Sequence, residues 1–261
     1  MKKIAFCFLI NDIINHEDIW SHFFSNVDKN KYNIYIHYKT NRNLKYFQDK
    51  KIDSIETRYE NHTIPLAYNV LFRKAYEDND NYKFVIVSGS CIPLKSFNHI
   101  YKMLTNDEFG YFNECPTSQC YPNCDYLLNV IEEKYISKSH NWFILNRRLV
   151  KELCFDKDDF LRRHYDTIYA PAEYFYYTFV KLLKLEKEVV VTHNSATDAT
   201  TFTNWEGMDY KYPSRFGLKN YNEISDEELQ LLLESRCIFG RKFTKACGRS
   251  LMNPMYIKAI S

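Results

Sequence analysis

Two groups of side chains in this chain could act on a transferring group, and they carry opposite charge. Tyr169-Ala-Pro-Ala-Glu-Tyr-Phe-Tyr-Tyr-Thr178 places Glu173 in the first turn of a helix whose expected first residue is Pro171. A helix N-terminus favours an ionised carboxylate, the form a general base needs to take a proton from an alcohol. An acid in a first turn also simply stabilises its helix, and the position alone leaves both readings open. The second group is cationic: Ser235-Arg-Cys-Ile-Phe-Gly-Arg-Lys-Phe243 supplies Arg236, Arg241 and Lys242, with Lys245 and Arg249 beyond. Such a cluster can hold a diphosphate, and a solvated surface face is the competing reading.

A third stretch has the chemistry of a ligand-binding turn. In Lys83-Phe-Val-Ile-Val-Ser-Gly-Ser-Cys-Ile-Pro-Leu94, Phe84 to Val87 is an unbroken apolar run, which predicts a central strand covered on both faces. Ser88, Gly89 and Ser90 are small enough for backbone amides to approach a ligand, and Pro93 stops the strand. Ligands of open α/β sheets bind at the carboxyl ends of such strands. A nucleotide is therefore expected at the ends of strands 3–10, 32–38 and 83–88, near Leu9, His37 and Ser88. Trp142, beside Asn141 in an apolar strand, is expected to line the donor or acceptor cleft, with a plain core role as the alternative. A hydrolase built on Ser88 or Ser90 lacks the G-x-S-x-G elbow and a placed histidine.

These residues need elements to carry them. Strand 3–10 is followed by an apolar helical spacing over His16–Asn26, a strand Tyr32–Tyr38, and a less regular stretch with a short helix and a strand around Ile52–Ile55. Thr63 reads as the N-cap of a helix with Pro65 in its first turn. This strand and helix alternation calls for a parallel sheet with right-handed crossovers. Further helices are expected at 97–104, 147–154 and 171–184, and further strands at 109–113, 141–146 and 188–192. Residues 114–126 read as a loop and 200–220 as irregular. The last clear helix starts with a capping box of Ser225 and Glu228 and a staple of Ile224 on Leu229. No linker or repeat interrupts the chain, so a single domain over 1–261 is expected, with a nucleotide-binding half to about residue 113 and an acceptor and catalytic half after it.

Composition narrows the partners. Lys+Arg 35 against Asp+Glu 33 leaves a net charge of +2, which argues against wholesale attraction to nucleic acid or a membrane surface. The 22 Tyr and 19 Phe fit a sugar-binding surface, where rings pack on C–H groups, as well as they fit a coding bias. The apolar start, residues 3–10, is broken by Asn11 and Asp12 far short of a membrane span, so a cytoplasmic protein with free thiols is expected and the Asn61-His-Thr63 sequon would stay unmodified. Cys115, Cys120 and Cys124 lie close together without a fourth ligand at zinc-finger spacing.

Taken in order, Val87-Ser-Gly-Ser-Cys-Ile-Pro-Leu94, Ser139-His-Asn-Trp-Phe-Ile-Leu-Asn-Arg147, Ala170-Pro-Ala-Glu-Tyr174 and Ile238-Phe-Gly-Arg-Lys-Phe243 resemble motifs of the Core-2/I-branching β-1,6-N-acetylglucosaminyltransferases, a pattern shared by peptide xylosyltransferases. The resemblance spans nearly the whole chain, which is shorter than the vertebrate enzymes and is expected to lack their membrane anchor. It implies a GT-A-type fold, a Rossmann-like, mostly parallel sheet flanked by helices with an irregular acceptor half. It further implies a UDP-sugar donor carrying N-acetylglucosamine or xylose, a glycan or other hydroxyl acceptor, inversion at the anomeric carbon, and no divalent metal. By resemblance Glu173 matches the catalytic base, Lys242 the diphosphate-binding lysine, and Arg236 or Arg241 its companion; Ser88, Gly89 and Ser90 are expected at the nucleotide and Asn141, Trp142 and Cys91 at the acceptor or sugar cleft. Two positions depart from the pattern: Cys91 stands where the family usually has an acid, and Pro171-Ala-Glu173 replaces Pro-Asp-Glu. Metal-dependent GT-A enzymes place Asp-x-Asp in the loop after the central strand; here Asp78-Asn-Asp80 precedes that strand and Asp156-Lys-Asp158 follows a peripheral helix. The Arg/Lys cluster is then the candidate for neutralising the diphosphate. A non-catalytic carbohydrate- or nucleotide-binding module on the same fold is the alternative.

Overall fold

The computed structural model describes residues 1–120, 124–205 and 218–261. Three strands with nearly continuous apolar runs, β1 (Lys3–Ile10), β2 (Tyr32–Tyr38) and β3 (Asn81–Ser88), lie parallel in the order β2-β1-β3. Between β3 and β4 (Ile92–Pro93) the chain turns out of this sheet. Beyond it, β5 (Gly110–Glu114), β6 (Ile144–Asn146) and β7 (Val189–His193) extend the sheet to β2-β1-β3-β6-β5-β7. Only β6 runs against its neighbours, so the mostly parallel, helix-flanked sheet expected of a GT-A-type α/β fold is present. A second sheet joins β4, β9 (Phe239–Arg241) and β8 (Thr201–Thr203) in the order β4-β9-β8.

The period-two alternation of the strands divides the core into two. Ile4, Phe6, Phe8, Val85 and Val87 face one layer, packed by α1 (Glu17–Phe24), α3 (Phe97–Thr105) and the second sheet; Ala5, Cys7, Phe84 and Ile86 face the other. That second layer is built by α2 (Thr63–Tyr76), α4 (Arg147–Cys154), α5 (Asp158–His164) and α6 (Ala172–Leu182). Burying each Val, Ile or Phe of this sheet stabilises by roughly 1.5–3 kcal/mol. The chain closes with α7 (Asp226–Glu234), α8 (Gly248–Leu251) and α9 (Pro254–Ile260) against the first layer.

Four local expectations are corrected. No strand forms around Ile52–Ile55: Lys51 bridges Ile36 and Ile52 N donates to Ile36 O at 3.0 Å, but the ladder goes no further, as Ile55 N donates to the His37 ring at 2.9 Å and Tyr38 N donates to Ser54 Oγ at 3.0 Å. The strand expected over 141–146 keeps only its last three residues. Trp142 O instead accepts from Thr200 Oγ1 at 3.2 Å, and Ser139 N donates to Glu173 O at 2.7 Å. Thr63 is the first helical residue rather than the cap, its hydroxyl accepting from Arg58 N at 2.8 Å. Ser225 caps α7 as expected, accepting from Glu228 N at 3.1 Å, but the Glu228 carboxylate turns away to Lys219 at 2.9 Å. Part of the expected irregular segment forms β8; residues 121–123 of the expected loop and 206–217 of that segment lie outside the described residues.

Candidate active site

Parallel register sets the floor of the site. Leu9 pairs with His37 on one side and with Ser88 on the other, so the carboxyl ends of β1, β2 and β3 finish in one row. The turn after β3 then receives two other segments. A Cβ on Gly89 would sit 2.4 Å from the Ile13 carbonyl oxygen, so glycine is what lets the 11–15 loop lie against the turn, tied by Asn15 N to Gly89 O at 2.7 Å. From the far end of the chain, β9 pairs antiparallel with β4, Phe243 N donates to Ser90 O at 2.9 Å, and Asn15 Nδ2 donates to Phe243 O at 2.9 Å. These bonds carry Arg241 and Lys242 to the ends of β1 and β3.

A cavity of about 350 Å³ results, with Leu9, Ser88, Gly89 and Ser90 in its wall as expected, together with Asp12 and Lys39. His37 lies in the same row but is fully buried and is not in the wall of this cavity; it braces the 52–55 segment through its ring, and burial pushes its pKa down to about 4. Cys91 is buried too, its thiol 3.2 Å from Ser88 Oγ and its carbonyl accepting from Trp20 Nε1 at 3.0 Å. It is not among the residues that line this cavity or the larger cleft beside it. Ser88 Oγ is 3.1 Å from Ser90 Oγ, and no histidine is bonded to either hydroxyl.

A larger cleft of about 530 Å³ adjoins the first, and Tyr59, Ile64, Arg241 and Lys242 belong to both. Its opposite wall is the start of α6. Pro171 is the N-cap and Glu173 stands in the first turn, after Ala170 in the left-handed region at φ 51°. Lys138 Nζ is 3.4 Å from Glu173 Oε2, and Asn141 Nδ2 donates to Oε1 at 3.4 Å. Burial raises the Glu173 pKa, and Lys138 and Arg241 pull it back. The ionised form thus depends on nearby cations more than on the helix terminus invoked from sequence.

Arg241 stacks its guanidinium 4.0 Å above the Trp142 ring, which places Trp142 in the cleft wall. Burial lowers the pKa of both Arg241 and Lys242, and among the described residues neither has an acidic ion-pair partner. Two desolvated cations without a carboxylate form a receptor for an anion. Arg236 is left outside: its side chain is 85% exposed and 3.9 Å from Asp198, because it precedes the buried run Cys237–Phe239 on the surface. Three buried polar atoms of the cleft, His140 Nδ1, Asn141 Oδ1 and Arg241 Nε, have no hydrogen-bond partner among the described residues. Such atoms are costly to leave unpaired, and several in one cleft mark where a polar ligand belongs.

Sequence reasoning missed Lys138, His140 and the rim formed by Tyr59, Glu60 and Tyr169. The signal for the first two lies in the sheet direction and not in the local sequence. Because β6 runs antiparallel, the polar residues that precede it emerge at the same sheet edge as those that follow β3. Among the described residues no three His, Cys, Asp or Glu side chains gather as a metal site. Asp78 is bonded to Lys3 at 2.8 Å at the amino end of β3, and Asp158 to Arg73 at 2.8 Å, both away from the cleft. The eight cysteines are free and buried.

Residues 4–232 match the Core-2/I-branching enzyme family. The chain belongs to that family. Members are glycosyltransferases, and so is this protein. Glycosyltransferase BC10 of Oryza sativa subsp. japonica is 22% identical over an alignment covering 98% of this chain and 77% of that protein. Among solved structures, the galactosyltransferase LgtC with donor and acceptor sugar analogues superposes with a TM-score of 0.47 at 7% identity, over 91% of this chain and 86% of that one. The bifunctional glycosyltransferase WbbM gives 0.43 at 10% identity, over 92% and 45%. Among the described residues no helix is long and apolar enough to cross a membrane.

Proposed function

We propose that this glycosyltransferase moves N-acetylglucosamine or xylose from a UDP-sugar to a hydroxyl of a glycan or related acceptor, with inversion and without a divalent metal. The nucleotide occupies the smaller cavity and the diphosphate lies against Arg241 and Lys242. The donor sugar spans the junction, and the acceptor enters the larger cleft. Glu173 takes the acceptor hydroxyl's proton as that oxygen forms a bond to the anomeric carbon. The bond from that carbon to the diphosphate oxygen breaks, and the negative charge left there is met by the two cations. The observation that carries this reading is one cleft lined by a half-buried carboxylate and by two cations that have no acidic ion-pair partner among the described residues. The metal-free mechanism is supported by those cations standing where the leaving charge would develop.

The test is transfer from UDP-N-acetylglucosamine or UDP-xylose, read as UDP release, in excess EDTA and in Glu173→Gln. Activity is expected to persist with chelator, and the variant is expected to bind UDP normally while turnover falls roughly a hundredfold or more. Loss of activity in EDTA, or parental turnover in Glu173→Gln, would remove the mechanism.

A further inference from the structure

The segment before β6 is stitched to α6 along its length. Ser137 N donates to Thr178 Oγ1 at 3.0 Å, that hydroxyl donates back to Ser137 O at 3.1 Å, and Ser139 N donates to Glu173 O at 2.7 Å. Between and beyond these backbone ties, the side chains of Lys138 and Asn141 return to the Glu173 carboxylate, one to each oxygen, both at 3.4 Å. Backbone and carboxylate of one residue are therefore held by a single neighbouring segment. We infer that Lys138, with Asn141, is a positioning residue that fixes the Glu173 carboxylate and keeps it ionised inside the cleft. This rests on the reading of Glu173 as the general base.

The surroundings explain why such a clamp is needed. Burial raises the Glu173 pKa and so favours the neutral acid, the form that cannot accept a proton. Arg241, from the end of β9, favours the carboxylate, but it is engaged with Trp142 and faces the proposed diphosphate site. Glu60, from the loop before α2, opposes ionisation, and the neutral Tyr59, Tyr169 and Cys115 add no charge. His140 is buried and pushed down to about 4, so it contributes no cation at neutral pH. Lys138 is the cation in contact with the carboxylate, with its own amine 5.8 Å from the Tyr174 ring centre. When the acceptor's proton reaches Glu173, the ion pair with Lys138 is lost, so the clamp sets how readily the base accepts that proton.

A residue that merely braced the fold would not move a titration, and this separates the two roles. Carboxyl-labelled glutamate is followed by carbon NMR across pH in the parent, Lys138→Met and Lys138→Arg, with Glu173→Gln assigning the signal. UDP release from UDP-N-acetylglucosamine is measured over the same range. The Glu173 midpoint is expected to rise by about one unit or more in Lys138→Met, to return most of the way in Lys138→Arg, and to carry the acid limb of kcat/KM with it. Lys138→Gln serves if the methionine variant does not fold. An unchanged midpoint in a folded variant lacking the lysine charge overturns the clamp. A shifted midpoint with an unmoved acid limb would leave the clamp standing and remove Glu173 as the base.

Discussion

The smaller cavity takes its floor from backbone and short side chains at the level ends of β1 and β3, with Arg241 and Lys242 on the wall it shares with the larger cleft, whereas that cleft takes its chemistry from side chains carried by segments far apart in sequence. In the first, the groups that shape the pocket are the ones that hold the strands and the turn together. In the second, carboxylate, lysine and guanidinium can each be removed without disturbing a strand. Fold and function are thus fused at one end of the site and separable at the other.

The sharpest way to test that contrast is Arg241→Met, which should lower kcat/KM a hundredfold or more, about the loss seen when a preorganised charge-stabilising group is removed. Thermal melting should nevertheless show a midpoint equal to or above the parent's, because a half-buried guanidinium with no acidic ion-pair partner among the described residues costs desolvation that an apolar chain does not. A large fall in melting temperature would mean that the cleft is as structural as the cavity beside it. Gly89→Ala attacks the other side. Its new Cβ, 2.4 Å from a backbone oxygen, should destabilise by about 1–3 kcal/mol and weaken UDP binding together with stability, read by denaturant melts and calorimetry. Stability lost with affinity intact would break the claim that the two are fused there.

The smallest effect concerns Glu173 itself. Its folded pKa lies above the ordinary 4.5, so as pH rises the unfolded chain releases this proton first and the folded state loses stability. Glu173→Gln should therefore melt slightly higher than the parent at about pH 7 and lose that advantage near about pH 4. An advantage independent of pH would show that Glu173 is not held under strain.

What was legible in the sequence follows the same division. The Phe84–Val87 run, the small residues after it and the spacing of α1, α2 and α6 are local signals, and they placed the strand ends and Glu173 correctly. Lys138 was invisible because its role depends on β6 running antiparallel, which a pattern of strand and helix alternation does not reveal. The choice between Arg236 and Arg241 was likewise not local: β9 pairs with β4 through Gly240, and that pairing decides which arginine reaches the cleft. His37 misled because a polar residue at a strand end can satisfy a neighbouring amide as readily as a ligand.

The chain order of the sheet has a consequence for how the molecule comes into being. β1, β2 and β3 are all synthesised within the first 88 residues, and their mutual pairing can begin as soon as they emerge. The outer flank waits for β6 and β7, and the wall shared by the two cavities waits for Arg241 and Lys242, which follow every strand of the main sheet. A ligand seated between β3 and that wall meets its full set of contacts only after nearly everything else has assembled. Its grip falls on contacts formed late in folding, so it acts on how slowly the finished molecule opens and hardly at all on how fast a new one closes.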